Sequence, residues 1–136
     1  MVVIENRELE LEFDNSEDYS ADSILISLCF ESRTKSHIAH LQTKSYAEHK
    51  ALDEFYHQII ELTDAFAESY QGRYGIIRQY PSISIQSKDG IGIVKELRKW
   101  IDENRKSCGD LSELQNDIDA IVSQCDSTIY KLTNLS

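Results

Sequence analysis

One proline, Pro81, five glycines and three cysteines are all that the 136 residues hold of the types that punctuate or cross-link a chain. So little proline and glycine beside 40% apolar residues excludes collagen-like, fibrous and low-complexity chains. No run of about 18 apolar residues occurs, so no membrane-spanning helix is expected. The amino terminus lacks a basic stretch followed by an apolar one, so no export signal is expected either. Cys29, Cys108 and Cys125 are odd in number and far apart, and they make neither a CxxC pair nor a zinc-ligand spacing. Reduced core or boundary thiols of a soluble, cytoplasmic protein are the expectation. Basic residues are scarce too, 14 against 24 acidic for a net charge of −10. With no Lys/Arg-rich arm, phosphate backbones are repelled, and neither a nucleic-acid nor a membrane partner is expected.

What is there is helical periodicity. The length suits one domain with a single core. Residues 1–20 read as a short extended arm, alternating Leu9, Leu11 and Phe13 with acidic residues. Residues 21–136 read as a four-helix bundle. A first helix spans about Ser23 to Leu41, with Ser20 or Asp22 as its cap, a seam of Ile26, Phe30, Arg33, His37 and His40, and Leu25, Leu28, Cys29 and Ile38 as apolar area beside it. A second, about Lys44 to Tyr70, stops at Gly72 and carries Leu52, Phe55, Ile59, Leu62, Phe66 and Tyr70 on one face. It would be roughly 40 Å long at 1.5 Å per residue. The irregular stretch GRYGIIRQYPSISIQSKDG is too long for a simple turn and long enough for a crossover along the side of the bundle. A third helix begins near Ser87 or Asp89 and reaches Lys106. The fourth follows a capping-box-like Asp110 and Glu113, with Leu111, Leu114, Ile118, Ile121, Cys125, Thr128, Leu132 and Leu135 as its seam.

All four histidines fall between residues 37 and 68. On the second helix His49, Asp53, Asp64 and Glu68 are four, eleven and four residues apart, near-whole numbers of turns, so they share a flank. His37 and His40 lie one turn apart near the end of the first helix. If the first two helices pack antiparallel through Gln42 to Ser45, these histidines approach His49. Imidazoles and carboxylates on inward flanks of a bundle are a ligand set for iron, manganese or zinc. The same residues also suit a solvated acidic flank with helix-packing histidines.

His37, His49, Asp53, Asp64 and Glu68, in the spacing H-x11-H-x3-D-x10-D-x3-E, resemble the ferroxidase signature of the Dps branch of the ferritin-like family. The resemblance covers the first two helices, and the long connection followed by two further helices is similar to that family's layout. It implies an all-α, four-helix ferritin-like bundle with a long crossover between helices 2 and 3. It also implies a homo-oligomer, at least a dimer, that binds iron or another divalent metal and oxidises Fe(II). The site would be shared across a two-fold axis: His37, His49 and Asp53 from one subunit, Asp64 and Glu68 from the other. That family carries a Trp after its first histidine where this chain has Ile38, and either His37 or His40 fits the first position. The phrase HLQTKSYAEHKALDEFY also resembles small ferritin-like proteins of tailed phages, which implies a viral protein acting in the host cytoplasm.

Other chemistry is absent from the pattern: no GxSxG nucleophile setting and no GxxxxGK[ST] phosphate loop occur. Arg73, Tyr74, Arg78 and Tyr80 mix cations and aromatics in the connection, which suits a small anionic ligand or a protein partner. The alternative function is therefore a non-enzymatic phage effector that uses the helical scaffold to bind a host protein or sequester a small signalling molecule.

Overall fold

The computed structural model describes residues 12–13 and 19–136. In order these form strand β1 (Glu12–Phe13), helix α1 (Ala21–Gln42), helix α2 (Tyr46–Tyr74), strand β2 (Ile83–Ser84), helix α3 (Gly90–Asn104), a 3-10 turn (Arg105–Cys108) and helix α4 (Ser112–Asn134). The chain is an all-α, four-helix protein with a long loop between α2 and α3. No helix among the described residues is long and apolar enough to cross a membrane.

The α1–α2 turn is closed by local hydrogen bonds. Thr43 donates its backbone N–H to the Ala39 carbonyl at 3.0 Å, and its hydroxyl accepts from the Ser45 N–H at 3.1 Å. Ser45 then caps α2, its Oγ accepting from Glu48 N at 3.2 Å. So short a connection forces α1 and α2 antiparallel. At the other end of the pair, α2 runs through Gly72 and stops at Gly75, whose φ of 94° belongs to the left-handed region. The expected stop at Gly72 is thus displaced by three residues. A helical glycine costs about 1 kcal/mol relative to alanine, which the flanking turns absorb, whereas the chain reversal needs the positive φ that only Gly75 supplies.

From Gly75 the chain climbs back along α1. Ile83–Ser84 pair antiparallel with Glu12–Phe13, so the arm has a partner strand in the crossover itself. The rest of the expected arm, residues 1–11 and 14–18, lies outside the described residues. Asp89 caps α3 by accepting from Gly92 N at 2.9 Å, and Glu96 reaches back to accept from Ser87 N at 3.0 Å. Gly90 sits against Leu52 near the start of α2, where an added Cβ would lie 2.8 Å from Leu52 Cδ1. The crossover therefore delivers α3 to the end of the bundle at which α2 began, and α2 and α3 run in the same direction.

α1 packs on α2 and α3, and α4 packs on the same two helices, which puts α2 and α3 on one diagonal. Lys131 near the end of α4 pairs with Glu54 near the start of α2 at 2.7 Å, so α4 runs antiparallel to α2. The expected Asp110–Glu113 cap does not form: Leu111 is the N-cap residue, and Gln115 clamps the turn instead, donating to the Arg105 and Gly109 carbonyls at 2.9 and 2.6 Å. Nor does the Ser20 side chain cap α1. Its carbonyl accepts from the Ser23 hydroxyl at 2.8 Å.

Trp100, Phe55, Phe66, Leu52, Ile59 and Leu25 are fully enclosed at the centre. The α4 seam holds from Leu114 through Thr128, all buried. On α1 the expected seam is half right. Ile26 and His40 are buried, and so are Leu25, Leu28 and Cys29 beside the seam, but Phe30 is 41% and Ile38 46% exposed, and Ser32 and Ser36 face inward instead. α1 is held by two helices and by β2, so its buried arc is wider than a two-helix seam, and Phe30 goes to the crossover, where it lines a cleft with Tyr80 and Pro81.

Candidate functional site

The antiparallel α1–α2 pair brings all four histidines to one end of the bundle. His40, on the last turn of α1, donates from Nδ1 to the His49 carbonyl at 2.7 Å, and His49 donates from Nδ1 to the His40 carbonyl at 2.9 Å. A carbonyl can only accept, so both rings carry their proton on Nδ1, and in the neutral form each presents its lone pair at Nε2. The two imidazoles stack at 3.6 Å between centroids, 20° from parallel. His40 is buried and His49 partly exposed.

A second layer lies beside this pair. His37 stacks on Tyr56 at 4.0 Å and 11°. The Tyr56 hydroxyl donates to Asp53 Oδ1 at 2.9 Å, and the guanidinium of Arg33 lies 5.6 Å from the Tyr56 ring centre. His57 donates from Nδ1 to the Asp53 carbonyl at 2.9 Å, with the Asp53 carboxylate 3.5 Å away. The Tyr56 hydrogen bond holds the Asp53 carboxyl below the usual range, with His57, His40 and Lys50 adding to it. Partial burial lowers His37, and the cationic neighbours Arg33, His40 and His57 act the same way against the smaller pull of Asp53. Burial and the Asp53 carboxylate raise the Tyr56 phenol.

One chain thus gathers His37, His40, His49 and Asp53 and leaves the other two sequence-derived ligands elsewhere. Asp64 and Glu68 are exposed on the same flank of α2, about 16 and 22 Å farther along the axis than Asp53 at 1.5 Å per residue. Among the described residues no group of three or more His, Cys, Asp or Glu side chains is arranged to hold a metal ion within the single chain. Tyr56 and His57 were not among the expected ligands, and Arg33 was expected only as a member of the α1 seam. The signal for the first two was present, since they stand three and four residues after Asp53 on one helix, the spacing at which helical neighbours meet.

Comparison with known proteins fixes the family. A sequence model described as a family of unknown function, DUF5856, matches residues 40–132. The chain belongs to DUF5856. A relative from Enterobacteria phage T4, the "Uncharacterized 14.6 kDa protein in mobD-ri intergenic region", is 31% identical over 124 residues, covering 90% of this chain and 95% of the phage protein. No solved structure matches the chain.

The residues matched to DUF5856 include His40, His49, Asp53, Tyr56, His57, Asp64 and Glu68, and begin three positions after His37. Two surface features of this DUF5856 chain adjoin or oppose the histidines. A groove of about 650 Å³ runs beside Asp53 and His57 between α2 and the end of α4, with Tyr46, Ala47, Ala51 and Leu135 as its apolar lining. At the far end of the bundle, a cleft of about 370 Å³ is bounded by Tyr19, Asp22, Tyr70, Tyr74 and Arg78. Of the expected ligand-loop residues, Tyr74 and Arg78 line this cleft, while Tyr80 lines the separate cleft beside Phe30 and Arg73 lines neither.

Proposed function

We propose that this DUF5856 protein is a ferritin-like, Dps-like metal-binding protein that takes iron or another divalent metal between two copies of the chain. The observation that carries the reading is the reciprocal His40–His49 lock, which fixes the Nδ1–H tautomers and leaves Nε2 for a ligand. The long crossover between α2 and α3 also supports it, because such a connection is what the ferritin resemblance implies. His37, His49 and Asp53 form one half-site. Asp64 and Glu68 of a second copy form the other, consistent with their exposure and their distance from the histidines in a single chain. In this reading His40, packed beneath His49, positions the turn, and the more accessible His37 is the ligand. Fe(II) is the substrate of the ferroxidase-type reaction: each ion gives one electron to a dissolved oxidant, and the carboxylates offset the charge of the ion held.

The test is metal content of the purified protein, then anaerobic Fe(II) titration and sedimentation velocity, for wild type and a His49→Ala/Glu68→Ala variant. Saturable binding of one or two ions per chain that the variant loses, in a dimeric or larger species, is expected. Equal binding by both proteins would remove the reading.

A second reading, a non-enzymatic phage effector that engages a host protein or small ligand, draws on the crossover. Tyr74 and Ile76 are 51% and 67% exposed there, beside Arg73 and Arg78. Under it, alanine at Arg73 and Arg78 abolishes partner capture and leaves metal uptake intact.

A further inference from the structure

The cleft at the far end of the bundle is independent of the histidine cluster, being about 27 Å away along α1 at 1.5 Å per residue. Its floor is unusual. Asp22, in the first turn of α1, is only 4% exposed, yet among the described residues no cationic side chain is paired with it. A carboxylate enclosed in this way, with no cation beside it, is a place to which a cationic group is drawn. The charge is felt by its surroundings: the Tyr70 phenol is pushed up to about 12, by burial first and then by the charge and hydrogen bonding of Asp22, and Tyr80 is raised in the same sense.

The walls fit a cation as well. Tyr70 and Tyr74 bound the cleft with ring centroids 4.8 Å apart, and aromatic faces attract ammonium groups. The far wall is the segment 75–79, held in place by the reversal at Gly75 and by the Ile77 N–H, which donates to Gln71 Oε1 at 3.0 Å. Arg78 also lines the cleft, is exposed, and makes no ion pair among the described residues. A carboxylate at its floor and a guanidinium along its lining give the cleft two opposite charges. A simple anion is opposed by Asp22, and a diamine by Arg78.

We propose that this cleft binds a small zwitterionic amine of the ω-amino-acid kind, its ammonium on Asp22 beside the tyrosine rings and its carboxylate on the Arg78 guanidinium. The guanidinium fork suits the carboxylate end, and the tyrosine walls accept the methylene chain between the charges. The volume of about 370 Å³ accommodates a chain of five or six carbons.

The experiment is a ¹H–¹⁵N NMR titration of the full chain at constant ionic strength with 6-aminohexanoate, pentylamine, cadaverine and hexanoate. The expected result is saturable shifts of the Gly75 to Gln79 amides, tightest for 6-aminohexanoate. Asp22→Asn should weaken that binding at least tenfold, and Arg78→Ala should erase the advantage over pentylamine. Glu61→Gln, which removes a charge elsewhere on the acidic surface, should change nothing. Should Asp22→Asn fail to fold, Tyr74→Ala, at a half-exposed position, serves in its place and should weaken binding several-fold. Hexanoate binding as tightly as 6-aminohexanoate, binding that survives both Asp22→Asn and Tyr74→Ala, or no saturable shift with any of the four compounds would each overturn the proposal.

Discussion

His40 and His49 each donate Nδ1–H to the other's backbone carbonyl while their rings stack at 3.6 Å. The pair therefore ties the last turn of α1 to the first turn of α2 through two hydrogen bonds and one ring contact. It closes the end of the bundle where the connecting turn is only three residues, 43–45, long. His40→Ala removes one bond and the buried ring at once, and leaves the His49 carbonyl without its donor. A loss of about 1–3 kcal/mol is expected from that combination, read as a lower midpoint with unchanged slope in urea unfolding. Because the two rings share the contact, the double variant His40→Ala/His49→Ala should lose less than the sum of the single losses.

The stability of the protein should rise as pH rises through the ordinary imidazole range, in part because of His37. Its folded-state value lies below the roughly 6.5 of a free imidazole, since burial, Arg33, His40 and His57 all disfavour the charged ring against Asp53 alone. In that window the unfolded chain binds more protons than the folded one, so acid favours unfolding. His37→Gln should flatten the profile. An unchanged slope in chemical unfolding across this pH range would assign the dependence to other groups.

Asp53 works in the opposite part of the scale. Its carboxyl is held below the free value of about 3.9, first by the Tyr56 hydroxyl and then by His57, His40 and Lys50. A depressed acid contributes stability that is present above the unfolded value and lost as pH falls through the folded one. Tyr56→Phe keeps the stack on His37 and deletes only the hydroxyl, so ¹³C NMR titration should show the Asp53 carboxyl moving up toward the ordinary range. At neutral pH the same variant should cost about 0.5–1.5 kcal/mol.

Much of the bundle was legible because periodicity carries it. The apolar repeat on α2 and the three-four repeat on α4 each define one buried stripe, and the residues named on them are buried or partly buried from Leu52 to Tyr70 and from Leu114 to Leu132. What failed were features decided by two elements at once. Phe30 fits a four-three repeat but faces the crossover, since the buried arc of α1 is set by its neighbours. The cap at Asp110 was displaced by Gln115, whose amide reaches ten residues back, a link no local window contains. The approach of His40 to His49 was legible from the short turn, while the stack of His37 on Tyr56 joins two helices and so was not, although the spacing of Tyr56 from Asp53 on α2 was. The sharing of Asp64 and Glu68 between copies, which we propose, involves a second chain, which one sequence does not position.

Two glycines three residues apart should respond to alanine with opposite signs. Gly72 is helical and open, with nothing within 4 Å of the place an added methyl would occupy, so Gly72→Ala should stabilise by about 0.5–1 kcal/mol. Gly75 holds φ at 94°, and Gly75→Ala should destabilise by about 1–2 kcal/mol. Thermal unfolding of both variants measures the contrast. Two shifts of the same sign would mean that α2 ends elsewhere in solution.

The three thiols should be silent in the folded protein and equally reactive in the unfolded one. Cys29, Cys108 and Cys125 are free and fully enclosed. Burial pushes the Cys29 and Cys108 thiols up to about 12 and raises Cys125 as well, so thiolate is scarce at neutral pH and a reagent has no path to it. A disulfide reagent at pH 7.5 should therefore label none of them within minutes, and all three after denaturation. Cys29 should be the slowest to react during partial unfolding, because it sits at the centre of the bundle with Thr63 as a hydrogen-bonding neighbour. Fast labelling of Cys108 alone would instead show that the 3-10 turn before α4 opens on its own, ahead of the helices it joins.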